Sequence, residues 1–129
     1  MGKPLRVLVV EDSERDTALM QLYLRRGGYD ATLQRVESPI SMKVQLESAE
    51  WDVVICDFNL AGFNGHAALK TLQESGRDYP FIVVSGEIAP SVIEGITSAG
   101  ATAYLPKYEM SRIVETIERA LSGRSRNQG

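Results

Sequence analysis

A chain of 129 residues, 43% apolar and 24% charged, suits one compact domain around a single core, and a net charge of −3 leaves no basic stripe for nucleic acid. Its single cysteine, Cys56, excludes an internal disulfide and any cysteine-based zinc site, and fits a reducing cytoplasm. The opening "MGKPLRVLVVED" meets two acids too soon for a signal peptide, and nothing approaches the ~20 apolar residues of a membrane span, so a cytoplasmic domain is expected.

Five apolar segments follow in chain order: "LRVLVV" (5–10), "ATLQRV" (31–36), "DVVIC" (52–56), "PFIVVS" (80–85) and "ATAYL" (101–105). Roughly 15 to 20 residues separate them, room for a crossover helix and two loops, which predicts an α/β fold with a parallel sheet. Residues 13–26 open on "SERD", a Ser-x-x-Asp capping box, and stop at Gly27 and Gly28. In "ISMKVQL" (40–46) the apolar residues alternate as in a strand. The segment is nevertheless assigned to a helix, because a parallel sheet needs a crossover there. Pro90 fits a first helical turn, with Val92, Ile93 and Ile96 facing inward. Apolar positions at helical spacing over 109–122 predict a last helix ending at Gly123. The domain is expected over 4–122, with 123–129 a disordered polar tail too short to fold. The initiating Met and that tail are what a complete stand-alone chain would show.

Segments 7–10, 53–56 and 81–84 are continuously apolar, as in strands covered on both faces, whereas Gln34 and Arg35 and the small, short 101–105 mark edges. The pattern fits a doubly wound, flavodoxin-like, five-stranded sheet of order 2-1-3-4-5, with helices on both faces. Its ligand crevice lies outside the carboxyl ends of the strands. At those ends stand Glu11 and Asp12, Asp57, Ser85 with Gly86, and Lys107.

Three carboxylates in one place repel, and their pKa values rise unless a cation sits among them. A hard divalent ion such as Mg2+ (or Mn2+) takes oxygen ligands, here Glu11, Asp12, Asp57 and the Asn59 backbone carbonyl. With the metal bound, Asp57 can act as a nucleophile and form an aspartyl phosphate. The metal and Lys107 would neutralise the transferring group, and Ser85 would donate a hydrogen bond to it. Taken singly these residues have plainer readings: Asp12 or Ser13 as a helix cap, Lys107 as a solvated lysine, Ser85 as a turn hydroxyl, Tyr104 as edge packing. His66 has no partner for metal or triad chemistry and reads as an exposed residue of a first helical turn, and Cys56 as a buried, inert strand residue.

With these residues placed, the chain resembles the receiver domain of two-component response regulators. The resemblance rests on "VLVVED", "ICDFNLAGFNG" with turn glycine Gly65, "FIVVSG" and "AGATAYLPK", and covers essentially 4 to 122. It implies that Asp57 takes a phosphoryl group from a phosphohistidine on a sensor histidine kinase or a histidine phosphotransfer protein, with Mg2+ required. It also implies a switch in which Ser85 moves toward the phosphoryl group and Tyr104 turns in from an outward position. The readout would be a protein partner on residues 90–122, by a monomer or weak dimer that touches neither nucleic acid nor membrane. Such a chain is no enzyme in the usual sense, since it promotes only its own phosphorylation and dephosphorylation.

Departures from the family pattern are Ala61 where Pro is common, Tyr108 after Lys107 where a cis proline is common, and Ser85 for Thr. The Lys107–Tyr108 bond is expected to be trans or a strained cis. Asn59 and Glu87 lie near the path of attacking water and are expected to tune phosphoryl lifetime. The alternatives are a pseudo-receiver that binds proteins without being phosphorylated, and a phosphohydrolase of the haloacid dehalogenase type. The first has no need for the intact acidic and basic set. The second wants an acid two residues after the nucleophile, where Asn59 stands, and a cap insertion that is missing. Nucleotide or flavin binding lacks a Gly-rich phosphate loop after strand 1.

Overall fold

A computed structural model describes residues 2–60 and 63–128, with the side chains of Asn59 and of residues 124–128 outside the description. Strands β1 (Lys3–Val10), β2 (Tyr29–Val36) and β3 (Val53–Cys56) come first, with helices α1 (Glu14–Arg26) and α2 (Pro39–Ser48) between them. Two short strands follow, β4 (Asn59–Leu60) and β5 (Phe63–Asn64), paired antiparallel just past β3. Then come α3 (Gly65–Glu74), β6 (Phe81–Ser85), α4 (Pro90–Ala99), β7 (Ala103–Pro106), a 3-10 helix (Lys107–Arg112) and α5 (Ile113–Gln128).

The main sheet has the order β2-β1-β3-β6-β7, all parallel. Apart from the small β4–β5 pair, this is the predicted arrangement, with the polar and the short segments at the edges. Strand side chains alternate between faces, so each strand feeds two cores. Leu8, Val10, Val54, Cys56, Phe81 and Val83 meet α2, α3 and α4 through Met42, Leu46, Leu72 and Ile96. Val7, Val9, Val53, Ile55, Ile82 and Val84 meet α1 and α5 through Met20, Leu24, Ile113 and Ile117.

The disputed segment 40–46 is helical, as α2. Met42 and Leu46 are fully buried, whereas Ile40 and Val44 are 77% and 54% exposed, so the strand-like alternation is two i,i+4 pairs on opposite sides of one helix. Ser38 caps it, accepting from the Ser41 backbone N–H while the Ser41 hydroxyl accepts from Ser38 N–H. At α1, Ser13 Oγ accepts from Asp16 N–H as predicted, but the Asp16 carboxylate does not complete the box. Glu11 Oε2 takes the Ser13 N–H instead, at 3.1 Å.

The C-terminal helix departs from expectation twice. A 3-10 helix occupies Lys107–Arg112, with non-helical φ/ψ at Glu109, and the α-helix begins only at Ile113. That tighter start sinks Met110 into the α1/α5 core. The backbone then stays helical through Gln128, past the helix end expected at Gly123. A helix-interior glycine costs only about 1 kcal/mol, and no proline follows Gly123 to stop the helix.

Candidate functional site

Register brings the acids together. Val10 pairs with Cys56, so Glu11 and Asp57 emerge side by side past the ends of β1 and β3. Their backbones continue the ladder: Asp57 N–H donates to Val10 O at 2.9 Å, and Glu11 N–H to Val36 O at 3.1 Å. On the far side Ser85 pairs with Pro106, so Lys107 follows one residue beyond. All of the predicted rim residues with described side chains therefore lie at the carboxyl end of the sheet.

Among the described residues, Glu11, Asp57 and Ser85 are the buried polar side chains at 3%, 8% and 1% exposure, and Asp12 stays exposed. Burying charge is costly unless it is paired. Asp57 is held at both oxygens: Ser85 Oγ donates to Oδ1 at 2.8 Å, and Lys107 Nζ to Oδ2 at 2.9 Å. The same ammonium reaches Glu11 Oε1 at 3.0 Å and Asp16 Oδ2 at 2.6 Å. Burial would lower the Lys107 pKa, but hydrogen bonds to Asp16, Asp57 and Glu11 outweigh it and raise the pKa above the usual lysine range. Burial raises the Glu11 carboxyl; the bond from Lys107 opposes this, and the charge on Asp57 adds to it.

Carboxylate oxygens of Glu11, Asp12 and Asp57 lie within 4.8 Å of one another. The donor set is all oxygen and anionic, which fits a hard divalent cation such as Mg2+ and suits a soft metal poorly. Asn59 begins β4 two residues after Asp57, and its side chain lies outside the described residues, as does all of Ala61. Glu87 is exposed beyond Gly86. Tyr104 is half-buried, and its hydroxyl donates to Gly86 O at 3.1 Å, tying it to the residue next to Ser85. The Lys107–Tyr108 bond is trans, and Tyr108 is 81% exposed.

His66 is exposed in the first turn of α3, edge-on to Phe58 at 5.5 Å. Cys56 is fully buried; its Sγ–H donates to Asp57 O at 3.1 Å, and burial, then the charges of Asp57 and Glu11, push its thiol pKa up, so it is an inert thiol at neutral pH.

Sequence reasoning missed two residues. Asp16 reads as the acid of a capping box, yet its carboxylate sits on Lys107. Arg35, on the edge strand β2, donates to Glu11 O at 3.1 Å and pairs with Glu14 and Glu37 at 3.3 Å. A charged residue directly before the end of an edge strand, beside a rim rich in acids, was the available signal for Arg35.

Comparison with known proteins gives one consistent result. The family model described as response regulator receiver domain matches residues 7–118. The chain is 31% identical over 120 residues to the sensory/regulatory protein RpfC of Xanthomonas campestris pv. campestris, covering 89% of this chain but 16% of that protein. It is 27% identical over 107 residues to the two-component response regulator ORR41 of Oryza sativa subsp. japonica, covering 81% of this chain and 84% of that one. Among solved structures, the N-terminal domain of a response regulator/sensory box/GGDEF protein from Carboxydothermus hydrogenoformans superposes with a TM-score of 0.79 at 24% identity, over 96% of this chain and 99% of that one. That likeness is one of fold. The chain thus spans a small fraction of RpfC and most of ORR41. Among the described residues, no helix is long and apolar enough to cross a membrane.

Proposed function

Because the chain belongs to the response regulator receiver domain family of two-component signalling, we propose that Asp57 accepts a phosphoryl group from a phosphohistidine on a sensor histidine kinase or a histidine phosphotransfer protein. The observation that carries this reading is the pair of hydrogen bonds at one buried carboxylate, Ser85 on Oδ1 and Lys107 on Oδ2. In the transfer the P–N bond to the donor imidazole breaks, the imidazole leaves with that electron pair, and a P–O bond forms to an Asp57 oxygen. Lys107 supplies positive charge where the phosphoryl oxygens arrive, and Ser85 supplies a neutral donor. A divalent cation on Glu11, Asp12, Asp57 and the Asn59 carbonyl would offset the remaining negative charge.

Charge at Asp57 then reaches an output face through a short chain of contacts. Ser85 touches Asp57, Gly86 follows Ser85, and Tyr104 holds Gly86 O. Tyr104 also lines an open groove of about 380 Å³ with Glu109, Arg112, Thr116 and Arg119. Drawing Ser85 onto a phosphoryl oxygen changes what Tyr104 packs against, and the 90–122 face presents the difference to a protein partner. Glu87, exposed beyond Gly86, and Asn59, two residues after Asp57 in the chain, would tune the lifetime of the acyl phosphate.

Intact mass after incubation with acetyl phosphate, with and without Mg2+, tests this. One added phosphoryl mass is expected with Mg2+ and none in Asp57→Asn. No gain under any condition would refute the phosphoacceptor reading and leave a receiver fold that works as a protein-binding adaptor.

A further inference from the structure

Lys107 is held by three carboxylates, and they are not equivalent. Glu11 and Asp57 belong to the acidic cluster that fits a divalent cation, and Asp16 does not. An ammonium has three N–H donors, and here each of three carboxylates offers it an acceptor. The Asp16 contact, at 2.6 Å, is the shortest of them.

A cation on Glu11, Asp12 and Asp57 would share two of these carboxylates with the ammonium. It would weaken both contacts and repel Lys107 directly. Asp16 is the partner that cation leaves untouched. It is also well placed to resist, because its backbone N–H is fixed on the Ser13 cap in the first turn of α1. Its own side chain is only 28% exposed, so water screens the contact partially.

We propose that Asp16 is a positioning residue which keeps the Lys107 ammonium at Asp57 when a divalent cation occupies the acidic cluster. The proposal rests on the reading that this cluster takes such a cation and Asp57 the phosphoryl group. In the structure Asp16 is one of three anchors; with a cation on the acidic cluster it would be the one that remains. It acts through Lys107 and has no contact with the reacting atoms.

The first test needs no phosphodonor. Ammonium-selective 1H–15N spectroscopy of the lysine side chains should show one exchange-protected signal that disappears in Lys107→Ala. In the wild type it persists on saturation with Mg2+, followed by calorimetry. In Asp16→Ala it is present without Mg2+ and lost on saturation, and Asp16→Asn, which keeps an acceptor without the charge, falls between. Survival of the signal in Mg2+-saturated Asp16→Ala, or its loss in the wild type, overturns the proposal. Absence of Mg2+ binding overturns it together with the cation reading.

The second test measures phosphorylation by acetyl phosphate at saturating Mg2+. Asp16→Ala should be slower by up to about a hundredfold, the scale of a catalytic group misplaced by an ångström, and should have no further effect in a Lys107→Ala background. An equal loss in that background overturns the positioning role. If the wild type takes no phosphoryl group while the ammonium signal behaves as described, the phosphoacceptor reading fails and the anchor stands.

Discussion

Gly65→Ala offers a sharp perturbation of the region joining Asp57 to α3. Gly65 is buried at the first position of the helix, with its N–H on Phe58 O at 3.1 Å. A Cβ built there meets Phe58 Cδ1 at 2.6 Å, Cε1 at 3.2 Å and Cγ at 3.3 Å, so the ring must move. Overpacking of this kind costs about 1–3 kcal/mol. Against it stands a gain of about 0.4–1 kcal/mol from the stiffer unfolded chain, since φ at Gly65 is not in the left-handed region. The net expectation is a loss of about 1 kcal/mol or somewhat more. Trp51, the single tryptophan, is 5% exposed in the core beneath α2, so its fluorescence follows urea unfolding. With a slope of about 1–3 kcal/mol per molar urea, the midpoint should fall by roughly 0.5–1 M at constant slope. Because Phe58 follows Asp57 directly, the phosphoryl uptake proposed for Asp57 should slow as well. In a Phe58→Ala background the ring is gone, and Gly65→Ala should become neutral or stabilising. A loss of the same size in both backgrounds would refute the clash as its cause.

Three further outcomes are expected. Saturating Mg2+ should raise the Tm of the wild type, by the equivalent of about 2.7 kcal/mol at a hundred times Kd, and should do so far less for Asp57→Asn, as read by differential scanning calorimetry. Tyr29 donates to Glu118 Oε2 at 2.7 Å, and this bond, with burial and the Glu118 charge adding to it, raises the phenol pKa. A group raised on folding contributes stability that is complete below its unfolded pKa, about 10, and is lost as pH climbs through the folded value. Alkaline titration of the tyrosine absorbance should therefore show one midpoint falling in Glu118→Gln, and no change there would remove the bond from consideration. In α2, Met42→Ala should cost about 2–5 kcal/mol in urea unfolding, whereas Ile40→Ala, at a position 77% exposed, should stay within about 0.5 kcal/mol.

That contrast in α2 shows where local pattern misleads. Ile40, Met42, Val44 and Leu46 alternate as strand residues do, and half of them point to water. What identifies the helix is the crossover that parallel neighbours demand, together with Ser38, Pro39 and Ser41 at its start. The sheet order was legible for a related reason. β1, β3 and β6 carry unbroken apolar runs because both faces are covered, and the segment interrupted by polar residues and the small, short one had to be edges. Beyond Gly123 the sequence offered polarity and one glycine but no proline. Polarity bears on burial, and says little about whether a helix already begun will continue.

The site was legible to the extent that strand ends determine it. Glu11, Asp57, Ser85 and Lys107 each stand at a carboxyl terminus, and parallel register forces such residues onto one rim. Asp16 could not be found that way, because it sits on a helix and its placement depends on how α1 leaves β1. Glu11 settles that exit by taking the Ser13 N–H, the bond that the capping box assigns to Asp16. Once Glu11 fills that role, the Asp16 carboxylate is free of its cap and turns to Lys107. The same acid that fits the cation site therefore also decides where the ammonium's third anchor comes from. Removing the Glu11 carboxylate by Glu11→Ala should for this reason do more than weaken cation binding. It should let Asp16 return to its own N-cap and loosen Lys107, so the Lys107 ammonium signal should weaken even without Mg2+. An unchanged signal would mean that Asp16 is held on Lys107 by attraction alone, whatever occupies the cap.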